Sequence, residues 1–206
     1  MSRQPSDLWQ RRLLDVAELV LWVALNREPT LGDTRLVCVD GRTGAGKSTL
    51  GGAVREAASS LGTSTLVHLD DLLDGWGGLE RVGETHERDV LTPLSTGRPG
   101  RYRRYDWELG QYADERVVDP VDLLVVEGVG SGAAAYASWI TTLVWVDAPV
   151  DLGLARSVAR DGEELRLQLV QWMKDEDVLF ARERTRDRAD LVVDGTGEAD
   201  YAVVLA

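Results

Sequence analysis

In a chain of 206 residues there is one cysteine, one phenylalanine, two histidines and two lysines. With Cys38 alone no internal disulfide can form, so stability must rest on an apolar core, and a reducing setting such as the cytoplasm is expected. Cys38 lies in an apolar run, where a packed thiol is the expected reading rather than a nucleophile. No stretch approaches the roughly 20 consecutive apolar residues of a membrane-spanning helix. The early acids Asp7, Asp15 and Glu18 do not suit a secretory leader, and none is expected. A general Lys/Arg field is missing too: the net charge is −12, which argues against a nucleic-acid partner. Because nearly all positive charge is arginine, the two lysines, Lys47 and Lys174, draw the eye to their positions.

Hydrophobic content of 44% and charged content of 28% suit a water-exposed globular chain, and the length suits one domain over 1–206. Residues 7–26 carry Leu8, Trp9, Leu13, Val16, Leu19, Val20 and Val23 at helical spacing, which predicts an amphipathic helix packed on the core. Five short apolar runs follow, Arg35–Asp40, Thr65–Asp70, Asp122–Val126, Thr142–Val146 and Asp190–Val193. Interleaved with helical patterns over 48–61, 151–160 and 163–184, they predict an α/β fold. Its form is a three-layer α/β/α sandwich around a five-stranded parallel sheet. A Gly-, Pro- and charge-rich stretch, with a helix over 87–94, predicts an excursion across 72–110 that carries substrate contacts.

Gly41-Arg-Thr43-Gly44-Ala45-Gly46-Lys47-Ser48 fits G-x-x-x-x-G-K-[ST] and stands between a predicted strand and a predicted helix. Its glycines allow successive amides to face phosphate oxygens, and the helix start adds partial positive charge there. Lys47 is expected at the β- and γ-phosphates, Ser48 on Mg²⁺ and Thr49 on the α-phosphate, with ATP the expected nucleotide. Glu127, at a strand's carboxyl end, is the expected second metal-site acid. Asp70, or its neighbour Asp71, is placed to accept a proton from an attacking hydroxyl or to join the metal shell. His68 is expected as a packed strand residue. Arg156 and Arg160, four apart on one helix face, could cover a transferring phosphoryl group within a lid region at 151–165. Asp71, Arg104, Tyr105 and Trp107, with Trp76, are candidates for holding the acceptor.

Taken together, these segments resemble the P-loop kinases of the uridine kinase, phosphoribulokinase and nicotinamide riboside kinase group over a core from Arg35 to Gly195. Asp70-Asp71-Leu72-Leu73 stands at that group's D-x-[FY]-[FY], Tyr105-Asp106-Trp107 at its Tyr-Asp-aromatic segment, and Glu127-Gly128 at its Glu-Gly. Asp151 to Asp161 is similar to its arginine-bearing lid helix. The resemblance implies Mg-ATP, a small hydroxylated acceptor of nucleoside type, Asp70 as base, and the adenine at Asp194-Gly195-Thr196. The chain departs from the group at Leu72 and Leu73, which replace the aromatic pair, and at Gly153, which stands where a lid arginine is common. A kinase for another small metabolite or a nucleoside monophosphate, or a nucleotide-hydrolysing regulator, is the alternative. The sequence leaves the choice between monomer and homo-oligomer open.

Overall fold

Alternation within the apolar runs decides which way each strand faces. In Arg35–Gly41 (β1), Leu36 and Cys38 enter one buried cluster while Val37 and Val39 enter another on the opposite side. Leu123–Glu127 (β5) and Thr142–Asp147 (β6) divide the same way, with Leu124, Val126, Leu143 and Trp145 on the first side and Leu123, Val125, Val144 and Val146 on the second. Strands buried on both faces need cover on both, and each such Val or Leu contributes about 1.5–3 kcal/mol by leaving water. The computed structural model from which these contacts are read describes residues 5–197 and 203–204. The side chains of Leu8 and Trp9, expected on the first helix's apolar stripe, lie outside the described residues.

Pro5–Leu25 (α1) and Lys47–Ala58 (α2) cover the second face, where Ala17, Val20, Leu21 and Ala24 pack with Leu50, Val54 and Ala58. The first face is covered by the excursion and by Arg166–Glu183 (α6), through Trp172 and Leu179. Ser64–His68 (β2) and Leu191–Asp194 (β7) complete five parallel strands in the order β2-β5-β1-β6-β7, and the two-residue Val203–Val204 (β8) pairs antiparallel to β7. The five-stranded parallel sheet and its helical layers are thus as expected, with β8 as an addition. The chain leaves β1 toward β2 on one side and returns to β6 on the other, so a crevice opens at the carboxyl end of β1.

The excursion differs from its expectation. It runs through a short helix Val82–His86 (α3), a π-helical turn Glu87–Leu91 and a further turn Thr92–Leu94 (α4), then continues past residue 110. Gly100–Asp106 (β3) and Gln111–Val118 (β4) form an antiparallel hairpin with a register shift between Arg103 and Tyr105. The expected helix over 163–184 is a 3₁₀ turn, Glu163–Leu165, followed by α6. Val150–Asp161 (α5) precedes it, and Thr185–Arg188 (α7) leads into β7. Among the described residues no helix is long and apolar enough to cross a membrane.

Candidate active site

β1 delivers Gly41 to the crevice, and the chain turns back at once into α2. Gly46 takes a left-handed conformation (φ 106°) as the residue before the helix, and the first bond across its start runs from the Leu50 amide to the Gly46 carbonyl. The amides of Lys47, Ser48 and Thr49 therefore lie ahead of that bond, in the geometry that draws anions. Lys47 is buried and its Nζ donates to the Arg42 carbonyl at 2.9 Å, closing the loop on itself.

Close packing explains the departure at Gly153. Gly44 (φ 76°) and Gly153 meet backbone to backbone, and a Cβ on Gly153 would come within 2.5 Å of the Thr43 carbonyl oxygen. No side chain fits there, so the first turn of α5 docks directly on the loop.

Two buried acids hold the loop from behind. The Asp40 carboxylate accepts the amides of Gly41 (2.7 Å), Gly130 (3.0 Å) and Gly132 (2.9 Å), tying the end of β1 to the segment after β5. Burial pushes its pKa up to about 6, while the three amide donors oppose the shift. Glu176, on α6, accepts from the Thr43 amide at 3.0 Å and from the Thr43 hydroxyl at 2.5 Å; that hydroxyl in turn accepts from Trp172 Nε1 at 3.1 Å. Burial raises the Glu176 pKa, opposed by its bonds to Thr43 and by the charge of Lys47. Sequence reasoning missed Asp40, Trp172 and Glu176. A signal existed for the last: it falls on the stripe Leu169, Trp172, Met173, Phe180, where an acid has no business unless it has a partner.

A cavity of about 1050 Å³ lies above the loop. Thr43 through Thr49, Asp70, Glu127, Arg156, Arg160, Trp76 and Trp107 all line it, and so bring together most of the expected site residues. Glu127 is buried at the end of β5, where its Oε2 accepts from Ser48 Oγ at 3.0 Å and its Oε1 meets His68 Nδ1 at 2.5 Å. His68 is therefore not packed away as expected; it is half exposed, and its bond to Glu127 raises its pKa.

Asp70 lies in the 3₁₀ turn Leu69–Leu72 that directly follows β2, rather than at the strand's end. It is open to the cavity yet crowded by protein, and desolvation raises its pKa, opposed chiefly by Lys47 and supported by Glu127. Trp107 Nε1 donates to the Asp70 carbonyl at 3.2 Å, and Trp76 stands edge-on to both Trp107 (5.3 Å) and Trp172 (5.8 Å).

Gly41, Asp71, Arg104 and Tyr105 stand apart from the cavity. Arg104 pairs with Asp114 at 2.8 Å on the hairpin, Tyr105 packs edge-on between Trp107 and Tyr112, and Asp71 faces the Tyr102 hydroxyl at 3.5 Å. Gly41 ends β1 beneath the loop. Arg156 donates to the carbonyls of Gly195 (2.8 Å), Gly44 (3.3 Å) and Thr196 (3.3 Å), so its guanidinium lies toward the turn after β7. Arg160 pairs with Asp161 at 2.6 Å on the cavity rim.

The parallel sheet, the glycine loop after β1 and the flanking helices make a three-layer α/β/α fold that matches the fold of P-loop kinase structures. In fold, the chain is similar to the structure of a possible uridine kinase from Bacillus stearothermophilus, at 19% identity and a TM-score of 0.66, covering 87% of this chain and 98% of the other. It is also similar to a protein assigned as a fructose transport system kinase from Silicibacter sp. TM1040, at 20% identity and a TM-score of 0.61, covering 86% and 94%. No protein-family model matches the sequence, and no curated protein sequence matches it.

Proposed function

We propose that the protein is an ATP-dependent kinase that transfers the γ-phosphoryl group to a hydroxyl of a small, nucleoside-like acceptor. The observation that carries this reading is a shared cavity: Asp70 opens into the same space as Lys47, Ser48 and the amides of the glycine loop. A nucleotide switch has no need of a desolvated carboxylate facing its phosphate loop, whereas a kinase needs one to receive the acceptor's proton. A volume at the upper end of the range for a single ligand suits a nucleotide with an acceptor beside it.

In this reading the glycine loop and the start of α2 cradle the phosphates, and Lys47 reaches the β- and γ-oxygens. Asp70 orients the acceptor hydroxyl for in-line attack and takes its proton as the bond to phosphorus forms and ADP leaves. Its raised pKa makes it a better base than an unperturbed aspartate. Arg160, on the rim, neutralises charge on the transferring group. Ser48 Oγ and the Glu127 carboxylate, 3.0 Å apart, form the hard-oxygen pair that suits Mg²⁺, with Asp70 nearby; the ion would neutralise charge on the β- and γ-phosphate oxygens. Trp76 and Trp107, set edge-on to each other, give the acceptor an apolar aromatic corner, which favours a ring-bearing molecule.

The test is to incubate the protein with Mg-ATP and a panel of nucleosides, nucleoside monophosphates, sugars and small hydroxy acids, following ADP release. A ring-bearing alcohol is expected to raise release above the background without acceptor. Steady hydrolysis that no acceptor stimulates would point to the regulatory reading instead.

A further inference from the structure

Helix α1 lies outside the strand-loop-helix frame that builds the phosphate site, yet it reaches the cavity. Arg12, Leu13 and Val16 line the cavity beside Thr49 and Leu50. The same helical face continues into Ala17, Val20 and Ala24, all buried against α2 and the sheet. The helix is thus anchored by its C-terminal half and extends its preceding turns over the cavity wall.

What those turns meet is specific. Arg12 Nη1 donates to the Gly197 carbonyl at 3.2 Å, while Arg156 holds the carbonyls of Gly195 and Thr196 from α5. The turn between them is further fixed by the Gly195 amide on the Asp147 carbonyl (2.7 Å) and the Thr196 amide on the Asp194 carboxylate (3.0 Å). Two guanidinium groups from two helices therefore grip one turn, and the cavity that both residues line also carries the apolar side chains of Leu13, Val16 and Leu50. Flat cations and aliphatic side chains around one slot match a planar heteroaromatic ring, which stacks on guanidinium and buries its faces on carbon. The opposite chemistry, acids and indoles, gathers around Asp70.

We infer that α1 forms a wall of the nucleobase subsite, with Leu13 and Val16 against the ring of the bound triphosphate. The inference rests on the proposal that Gly41 to Ser48 holds a triphosphate, and the two can fail separately. Hydrogen exchange on the full chain with Mg-ATP and with Mg-tripolyphosphate, which lacks a base, separates them. Loop amides over 41–49 are expected to gain protection with both ligands, and α1 amides over 12–16 with ATP alone. Equal protection of α1 by both ligands, or none by ATP while the loop is protected, overturns the inference and leaves the phosphate site standing. A loop that neither ligand protects removes both.

Variants give a second reading. Leu13→Trp, which fills the slot, is expected to raise the Kd for Mg-ATP roughly tenfold or more while the Kd for tripolyphosphate stays within about twofold. Val16→Ala, a milder change, is expected to weaken ATP alone and by less. Parallel weakening of both ligands in both variants would mean that α1 only braces the loop, and would reject the assignment.

Discussion

At the scale of single residues, desolvation by the surrounding protein decides how the titratable groups behave. Asp70 sits above the 3.8 of an ordinary aspartate because desolvation penalises its charge. A base must be unprotonated to work, so kcat/KM is expected to fall as pH drops through that raised pKa. Asp70→Asn is expected to lower kcat by about 10²–10⁴-fold and to flatten this acid limb. A limb that survives in the variant would remove Asp70 from the role. His86 offers a contrasting case, fully buried against Tyr136 with no hydrogen-bond partner for either ring nitrogen among the described residues. Burial lowers its pKa from 6.5 to about 3, so the unfolded chain takes up the proton first as pH falls. Its contribution is intact above pH 6.5 and is lost progressively from there toward pH 3, at about 1 kcal/mol per pH unit. Asp40, pushed up to about 6, acts in the opposite direction over the same range, so the test is a difference: from pH 7.5 to 5.5 the urea midpoint of the wild type should fall relative to that of His86→Leu.

At the scale of elements, α6 holds the phosphate loop through the buried Glu176, with Trp172 on Thr43 and an exposed Arg42–Asp177 pair beside it. The Glu176 contacts to the Thr43 amide and hydroxyl form a buried network, so the two side chains should be energetically coupled. In a double-mutant cycle with Glu176→Gln and Thr43→Val, unfolding free energies are expected to give a coupling of about 1–3 kcal/mol. Additive losses would show that the clasp contributes little. The elements also differ in how far the sequence announced them. β1, β5 and β6 were legible because both faces are apolar, and the glycine loop because its spacing is chemically constrained. The hairpin was not: only Gly100, Tyr102 and Val118 are buried along it, its other positions are largely polar, and the shift at Arg103 to Tyr105 breaks the alternation that marks a strand. Gly153 read as a missing arginine, because nothing in the sequence shows that α5 meets the loop backbone to backbone. The helical face of α1 was visible, whereas the turn it grips is set only by the tertiary arrangement.

At the scale of the whole molecule, a chain of net charge −12 is proposed to hold an anion of several charges, which only a local positive field permits. Lys47, Arg160 and the start of α2 concentrate that field on one side of the sheet, so binding should stabilise the entire fold. At Mg-ATP near 100 times its Kd the gain is about 2.7 kcal/mol, or a rise in Tm of roughly 5–10 °C for a domain of this size. Lys47→Ala is expected to melt like the unliganded wild type and to show almost none of that rise; an undiminished shift would place ATP elsewhere. The distribution of tryptophan has a separate consequence. Of the seven in the chain, Trp76, Trp107 and Trp172 line the cavity, with Trp107 on the Asp70 carbonyl and Trp172 on the Thr43 hydroxyl. Indole emission responds to what lies against the ring. An acceptor arriving beside Asp70 should therefore dim or shift the intrinsic fluorescence, which makes the protein's own indoles a reporter of the second substrate.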